Sequence, residues 1–172
     1  MELSALLPKK TVFVMRDIYL GLGSNIGDKK SHLERALEHI TKFMTVLRVA
    51  SLYETAPVGN FNQDWFLNTV IEVDTEQDSC ELMDLLLSLE SDMGRRREAS
   101  GDPRTIDIDI LFFSSKIVRK EDLQIPHPRL QERRFVLAPL MELCPQFVHP
   151  VLKITVTDLA RQLGTQQEIR RL

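Results

Sequence analysis

Two aspartates one residue apart, Asp107 and Asp109, stand inside the apolar run Thr105-Ile106-Asp107-Ile108-Asp109-Ile110-Leu111. If that run is a strand, its side chains alternate. Both carboxylates then share one face, with Cα atoms roughly 6.6–7 Å apart, and Ile106, Ile108 and Ile110 share the other. Aspartate is depleted in strands, and like charges on one face repel, so something cationic must offset the pair. Arginine is one answer, and Arg95, Arg96, Arg97 and Arg104 lie just upstream. Mg²⁺ is the other, since a hard divalent ion takes carboxylate and phosphate oxygens together. A polyphosphate ligand would call on both, and the planar guanidinium fork suits phosphate better than an ammonium does.

Three further features bear on a ligand. His127 lies between prolines in Pro126-His127-Pro128, and its spacing to His149 makes no zinc motif, so phosphate or leaving-group contact is the better functional reading. Phe66 and Asn68 are one period-2 step apart, which puts an aromatic ring and a bifunctional amide on one side of a strand. That pair could stack on a flat heterocycle and read its edge, although core packing and a ladder contact are the commoner uses. The cluster Gly21-Leu22-Gly23-Ser24-Asn25-Ile26-Gly27 fits neither G-x-G-x-x-G nor G-x-x-x-x-G-K-[ST], and reads as a strand end turning into a capped helix.

The bulk numbers narrow the class. The chain has 172 residues, 43% hydrophobic and 27% charged, with a net charge of −3. That is ordinary globular usage, and it argues against both disorder and a nucleic-acid partner. Between Gly94 and Arg134, however, ten Lys or Arg face seven Asp or Glu, a local balance of +3. A basic strip inside an acidic protein suits a localised anionic ligand. Cys80 and Cys144 form no disulfide framework and no metal spacing, which fits a reducing cytoplasm. No apolar run is long enough to span a membrane, and the first residues do not read as a signal peptide. Residues 1–16 read as an extension of unknown role, ahead of a single domain over 17–172.

The elements that must carry these residues read as follows. Asp17–Gly23 is a first strand, and Asp28 caps a helix with Leu33, Ala36, Leu37, Ile40 and Met44 on one face. Val46–Tyr53 is a second strand, Thr55–Asp64 a loop and Phe66–Asp74 a third strand. Asp78 and Glu81 form a capping box for a second helix that stops near Gly94. Thr105–Phe113 is the fourth strand, turning at Ser114-Ser115-Lys116 into a hairpin with Ile117-Val118-Arg119. A helical stretch follows from about Leu130 to Leu143, interrupted or bent at Pro139, and Thr157 caps a last helix ending at Gly164. The order β-α-β-β-α-β predicts an α+β, ferredoxin-like core with a mixed or antiparallel sheet, helices packed on it, and a hairpin and C-terminal helices added.

Six blocks in one order carry a family resemblance. They are Ile18-Tyr19-Leu20-Gly21-Leu22-Gly23-Ser24-Asn25, Tyr53-Glu54-Thr55-Ala56-Pro57-Val58-Gly59, Phe66-Leu67-Asn68, and Pro103-Arg104-Thr105-Ile106-Asp107-Ile108-Asp109-Ile110-Leu111. Pro126-His127-Pro128-Arg129 and Arg133-Arg134-Phe135-Val136-Leu137-Ala138-Pro139-Leu140 complete the series. Over about residues 17–163 the chain resembles 6-hydroxymethyl-7,8-dihydropterin pyrophosphokinase of folate biosynthesis. The resemblance implies transfer of a pyrophosphoryl group from ATP to the pterin's hydroxymethyl oxygen, releasing AMP, by a monomer with mobile catalytic loops.

By the same resemblance Asp107 and Asp109 hold two Mg²⁺ ions, and Arg95 and Arg104 act beside them as catalytic residues. Glu90, Arg95, Arg97, Ile110, His127 and Arg133 contact the nucleotide. Thr55, Pro57, Val58, Phe66, Asn68 and Phe135 bind the pterin, with Phe66 and Phe135 as the two plates of an aromatic sandwich. The implied partners are therefore ATP and the pterin, with no nucleic acid and no membrane. The chain departs from the family at Ser100-Gly101-Asp102, which lacks a tryptophan many members carry, and at Pro128 and Ala56; the first of these bears on how the lid closes. Two rival readings remain on the sequence alone: a ferredoxin-like binding module without catalysis, and another Mg²⁺-dependent phosphoryl or nucleotidyl transferase.

Overall fold

The computed structural model describes residues 17–57, 64–95, 103–165 and 167–172. Its first strand, β1 (Ile18–Ser24), runs into α1 (Lys29–Ile40) through the turn that Asp28 closes, its carboxylate accepting from the Ser31 N–H at 3.0 Å. The expected second strand is two strands, β2 (Thr45–Val49) and β3 (Tyr53–Thr55). Between them the Ser51 N–H leaves the ladder and donates to Glu142 at 3.0 Å, so pairing stops there and resumes. β4 (Phe66–Asp74) follows as expected.

The capping box at Asp78 and Glu81 is present in both directions. Asp78 accepts from the backbone of Cys80 and Glu81, and Glu81 accepts from the Asp78 N–H at 2.8 Å. These backbone donors hold the Asp78 carboxyl below its usual range. They start α2 (Ser79–Asp92), which ends as expected at Gly94, whose φ of 84° favours glycine.

Strand β5 (Asp107–Phe113) starts two residues later than expected. The hairpin after it differs as well. Residues 117–119 do not fold back on β5; Val118–Arg119 (β6) pairs with Gln124–Ile125 (β7) in a separate two-stranded sheet, closed by a Lys120–Leu123 turn. The helical stretch from Leu130 is a 3₁₀ turn (Leu130–Glu132) and then α3 (Arg134–Leu143), broken at Arg133, with Pro139 inside the helix. Thr155, not Thr157, caps α4 (Val156–Leu163); the Thr157 hydroxyl donates instead to the Pro145 carbonyl. A final strand, β8 (Ile169–Arg171), has no counterpart in the sequence reading.

The main sheet runs β5-β1-β4-β3-β8, with β2 also on β4, and every strand pair in it is antiparallel. This resolves the mixed-or-antiparallel expectation and is the ferredoxin-like β-α-β-β-α-β order. One face packs on α1 and α2 through Ile18, Leu20, Leu22, Ile71, Val73, Ile108 and Ile110. The other packs on α3 and α4 through Tyr19, Val70, Leu111 and Phe112. The register of β5 shifts against β1 between Tyr19 and Leu20, which brings Leu111 and Phe112 together into that second layer. Towards Asp107 the second layer gives way to a cavity.

Candidate active site

Asp107 and Asp109 project from β5 on the cavity face, and Ile106, Ile108 and Ile110 are buried on the other, as the period of two requires. Two guanidiniums hold Asp107. Arg95 Nη1 lies 2.7 Å from Oδ1, and Arg104 Nη1 lies 2.5 Å from Oδ2. Arg95 also pairs with Glu90, whose buried carboxylate accepts from the Ile108 N–H at 2.7 Å. Arg104 is fixed through its backbone, its N–H donating to the Asn25 side chain at 2.7 Å and its carbonyl accepting from the Asn25 N–H at 3.1 Å.

Asp109 is held more loosely. Its Oδ2 lies 3.4 Å from Arg133 Nη1 and 3.7 Å from His127 Nε2. Burial, and then the charge of Asp107, push its carboxyl up to about 6, with Arg133 opposing. His127 moves the other way, down to about 4, because burial and then Arg133 disfavour its cation. It is neutral at pH 7, and its Nδ1 accepts from the Arg129 N–H at 3.2 Å.

On one side of this pair lies a cavity of about 260 Å³. Phe66, Asn68 and Val70 of β4, Thr55 of β3, Pro57, and Phe135 and Val136 of α3 line it together with Arg104, Asp107, Asp109 and Arg133. Its floor is Gly21 and Gly23, which the register places between β4 and β5: Gly23 opposite Asn68 and Asp107, Gly21 opposite Val70 and Asp109. A Cβ on Gly23 would lie 2.7 Å from Asn68 Oδ1, so only glycine leaves that amide where it is. Asn68 Nδ2 donates to Thr55 Oγ1 at 2.8 Å, which fixes the orientation of the amide. The Arg133 guanidinium lies 5.6 Å from the Phe135 ring centre. A second cavity, of about 200 Å³, is lined by Asp109, Ile110, Leu123 and His127 among others. Asp109 therefore stands at the boundary between the two.

The structure thus brings Thr55, Pro57, Phe66, Asn68 and Phe135 into one cavity, and Ile110 and His127 into the next, with the carboxylates between them. Arg95 and Glu90 sit behind Asp107 and line neither cavity. Val58 and Arg97 lie outside the described residues, as does Ser100-Gly101-Asp102. The sequence reading missed Gly21 and Gly23, although their own spacing of two carried the signal; it also missed Arg129, Glu132 and Gln167 on the cavity wall.

The donor set suits Mg²⁺. Two adjacent carboxylates are hard oxygen ligands, and one of them is an anion that its surroundings disfavour until a cation arrives. Among the described residues no group of three His, Cys, Asp or Glu could enclose a metal. Two carboxylates would leave most of an Mg²⁺ shell to water and phosphate oxygens.

The chain is similar to known proteins over most of its length. A family model described as 7,8-dihydro-6-hydroxymethylpterin-pyrophosphokinase (HPPK) matches residues 19–145. The 2-amino-4-hydroxy-6-hydroxymethyldihydropteridine pyrophosphokinase of Bacillus subtilis is 47% identical over 130 residues, 74% of this chain and 78% of that one. Its namesake in Methylorubrum extorquens is 45% identical over 136 residues, 78% of this chain and 86% of that one. Among solved structures, a Plasmodium falciparum HPPK-DHPS superposes with a TM-score of 0.69 at 19% identity, a likeness of fold. It covers 86% of this chain and 43% of that chain.

Proposed function

The chain belongs to the 7,8-dihydro-6-hydroxymethylpterin-pyrophosphokinase family, and on that premise we propose that it transfers the β,γ-pyrophosphoryl group of ATP to the hydroxymethyl oxygen of 6-hydroxymethyl-7,8-dihydropterin in folate biosynthesis. The products are AMP and the pterin diphosphate. One observation carries the reading: the Asp107–Asp109 face lies between two cavities that share Asp109, one with an amide and two phenylalanines, the other with His127.

In the first cavity Phe66 and Phe135 flank the pterin ring, and the amide of Asn68 reads its amide-like edge, with Thr55 and the backbone near Pro57 and Val58 adding hydrogen bonds. Asn68 Nδ2 is already taken by Thr55, so a ring without a matching donor would leave Asn68 Oδ1 without one from the ligand, which is costly. The glycine floor lets the ring lie close to the sheet. In the second cavity Ile110 packs against the nucleotide, and His127, neutral at pH 7, donates a hydrogen bond without adding charge. Arg104 and Arg133 face the phosphates, with Arg95 and Arg97 completing the set.

Asp107 and Asp109 would hold two Mg²⁺ ions. When bound, the metal neutralises the triphosphate and lowers the pKa of the attacking hydroxyl. Arg95 and Arg104, which neutralise Asp107 now, exchange that carboxylate for phosphate as the site fills, so the aspartate is freed where the metal needs it. Glu90 keeps Arg95 near the phosphates throughout. Residues 17–172 act as one domain in this reading, as a monomer in the cytoplasm; among the described residues no helix is long and apolar enough to cross a membrane.

Incubation with ATP, Mg²⁺ and the hydroxymethyl pterin, followed by chromatography of the nucleotides, tests the proposal. AMP supports it. ADP would point to a simple kinase and no turnover to a binding module, and either overturns it.

A further inference from the structure

We infer that Gln167 is a positioning residue of the pterin-side cavity: its amide clamps the entry of α3 and so sets the Phe135 ring. This rests on the proposed function for the identity of the ring's ligand. Gln167 lies outside residues 19–145, the span the family model matches. It lines the first cavity together with Thr55, Phe66 and Phe135.

Helix α3 begins without a cap of its own, since Arg133 at the N-cap makes no side-chain bond to the first turn. An uncapped start leaves backbone N–H groups without helix partners. Gln167 supplies the missing acceptor from 33 residues away: its Oε1 accepts from the Arg134 N–H at 2.8 Å. Its Nε2 donates to the Glu132 carbonyl at 2.7 Å. One side-chain amide therefore ties the end of the 3₁₀ turn to the first residue of α3, with Arg133 between them and Phe135 next along.

The tie works in both directions. The Arg134 guanidinium donates to the carbonyls of Thr165 (3.2 Å) and Gln167 (2.8 Å). The segment is also anchored to the sheet, where β8 pairs with β3 from Thr55↔Ile169 to Tyr53↔Arg171 and the Ala56 N–H reaches the Glu168 carbonyl at 3.3 Å. Thr55, through its pairing with Ile169, and the start of α3, through the Gln167 amide, are thus both tied to this one segment. Arg133 has backbone bonds of its own to Leu130, Val136 and Leu137. Loss of the amide therefore falls on Phe135 more than on the phosphate side.

The test is Gln167→Met, close in shape but without the two bonds, beside Gln167→Glu, which keeps the acceptor alone. With both substrates varied, Gln167→Met should raise the KM for the pterin about 5- to 20-fold and leave the KM for ATP within twofold. Gln167→Glu should recover part of that loss. Hydrogen exchange at Arg134–Val136 should quicken in Gln167→Met at an unchanged global melting temperature. An unchanged pterin KM, or both KM values rising together, overturns the inference. The exchange measurement stands apart from turnover: if the wild type yields no AMP, the proposed function fails while quickened exchange still supports the clamp and unchanged exchange removes it.

Discussion

The two faces of the central sheet are built from the same strands and do opposite things. Toward α1 and α2, β5 presents Ile108 and Ile110, with Ile106 just ahead of it, all no more than 4% exposed, in a cluster rich in leucine and isoleucine. Toward α3 it presents Asp107 and Asp109, beside two glycines of β1 and an asparagine of β4. One face buries apolar area at about 25 cal/mol per Å². The other has its area hollowed out by Gly21 and Gly23 and carries two adjacent carboxylates set against arginines. The contrast teaches how one strand serves two purposes: a period of two lets stability and chemistry be assigned to alternate residues, so each can change with little effect on the other.

Substitutions can break or sharpen that division. The largest effect is expected from Asp107→Ala, which should cut turnover by about 10³-fold or more, as loss of a group that acts on transition-state charge does. Its melting temperature should stay within a few degrees of the wild type, and a steady-state product assay with a thermal melt reads both. Ile108→Ala reverses the pattern. It should lower stability by about 3 kcal/mol through the cavity it leaves, measured by denaturant unfolding, while the folded enzyme keeps its kcat within a few-fold.

Gly23→Ala lies on the site face but acts through packing. Its methyl group displaces the Asn68 amide, so the KM for the pterin should rise about tenfold with that for ATP little changed. The mildest perturbation is pH. With its carboxyl raised to about 6, Asp109 becomes protonated as pH falls through that value, and on the proposed function it would then be lost as a metal ligand. The kcat/KM profile, which reports the free enzyme, should therefore have an acid limb near pH 6, with slope toward tenfold per unit below it.

Much of this division was legible in the sequence. Alternation alone placed Asp107 and Asp109 on one face and the isoleucines on the other, and Asp78 with Glu81 marked a helix start to the residue, because both signals are local. What was missed depended on distant partners. The break between β2 and β3 comes from Glu142, 91 residues beyond Ser51, which takes the Ser51 N–H out of the ladder. Strand β8 is a short, charged Ile169-Arg170-Arg171 that the edge of β3 recruits, and nothing in its own pattern marks it. Gln167 has no motif at all, and its place in the site exists only once β8 is docked. The glycines of β1 were legible in principle; compared with loop motifs, they showed no match, but counted at a spacing of two they form a bare floor.

The most direct measurement of the account is made on Asp109→Asn, which keeps the shape of the side chain and removes its charge. Because the folded-state carboxyl sits above its unfolded value, the protein without metal loses stability as pH rises through about 6 and Asp109 ionises. Neutralising it should therefore raise the metal-free melting temperature at pH 7.5, a gain of about 0.5–1 kcal/mol after solvent screening, while turnover with ATP and Mg²⁺ falls by about 10³-fold. A variant that melts no higher than the wild type and keeps its turnover would contradict the claim that this face holds its charge for chemistry at the expense of stability.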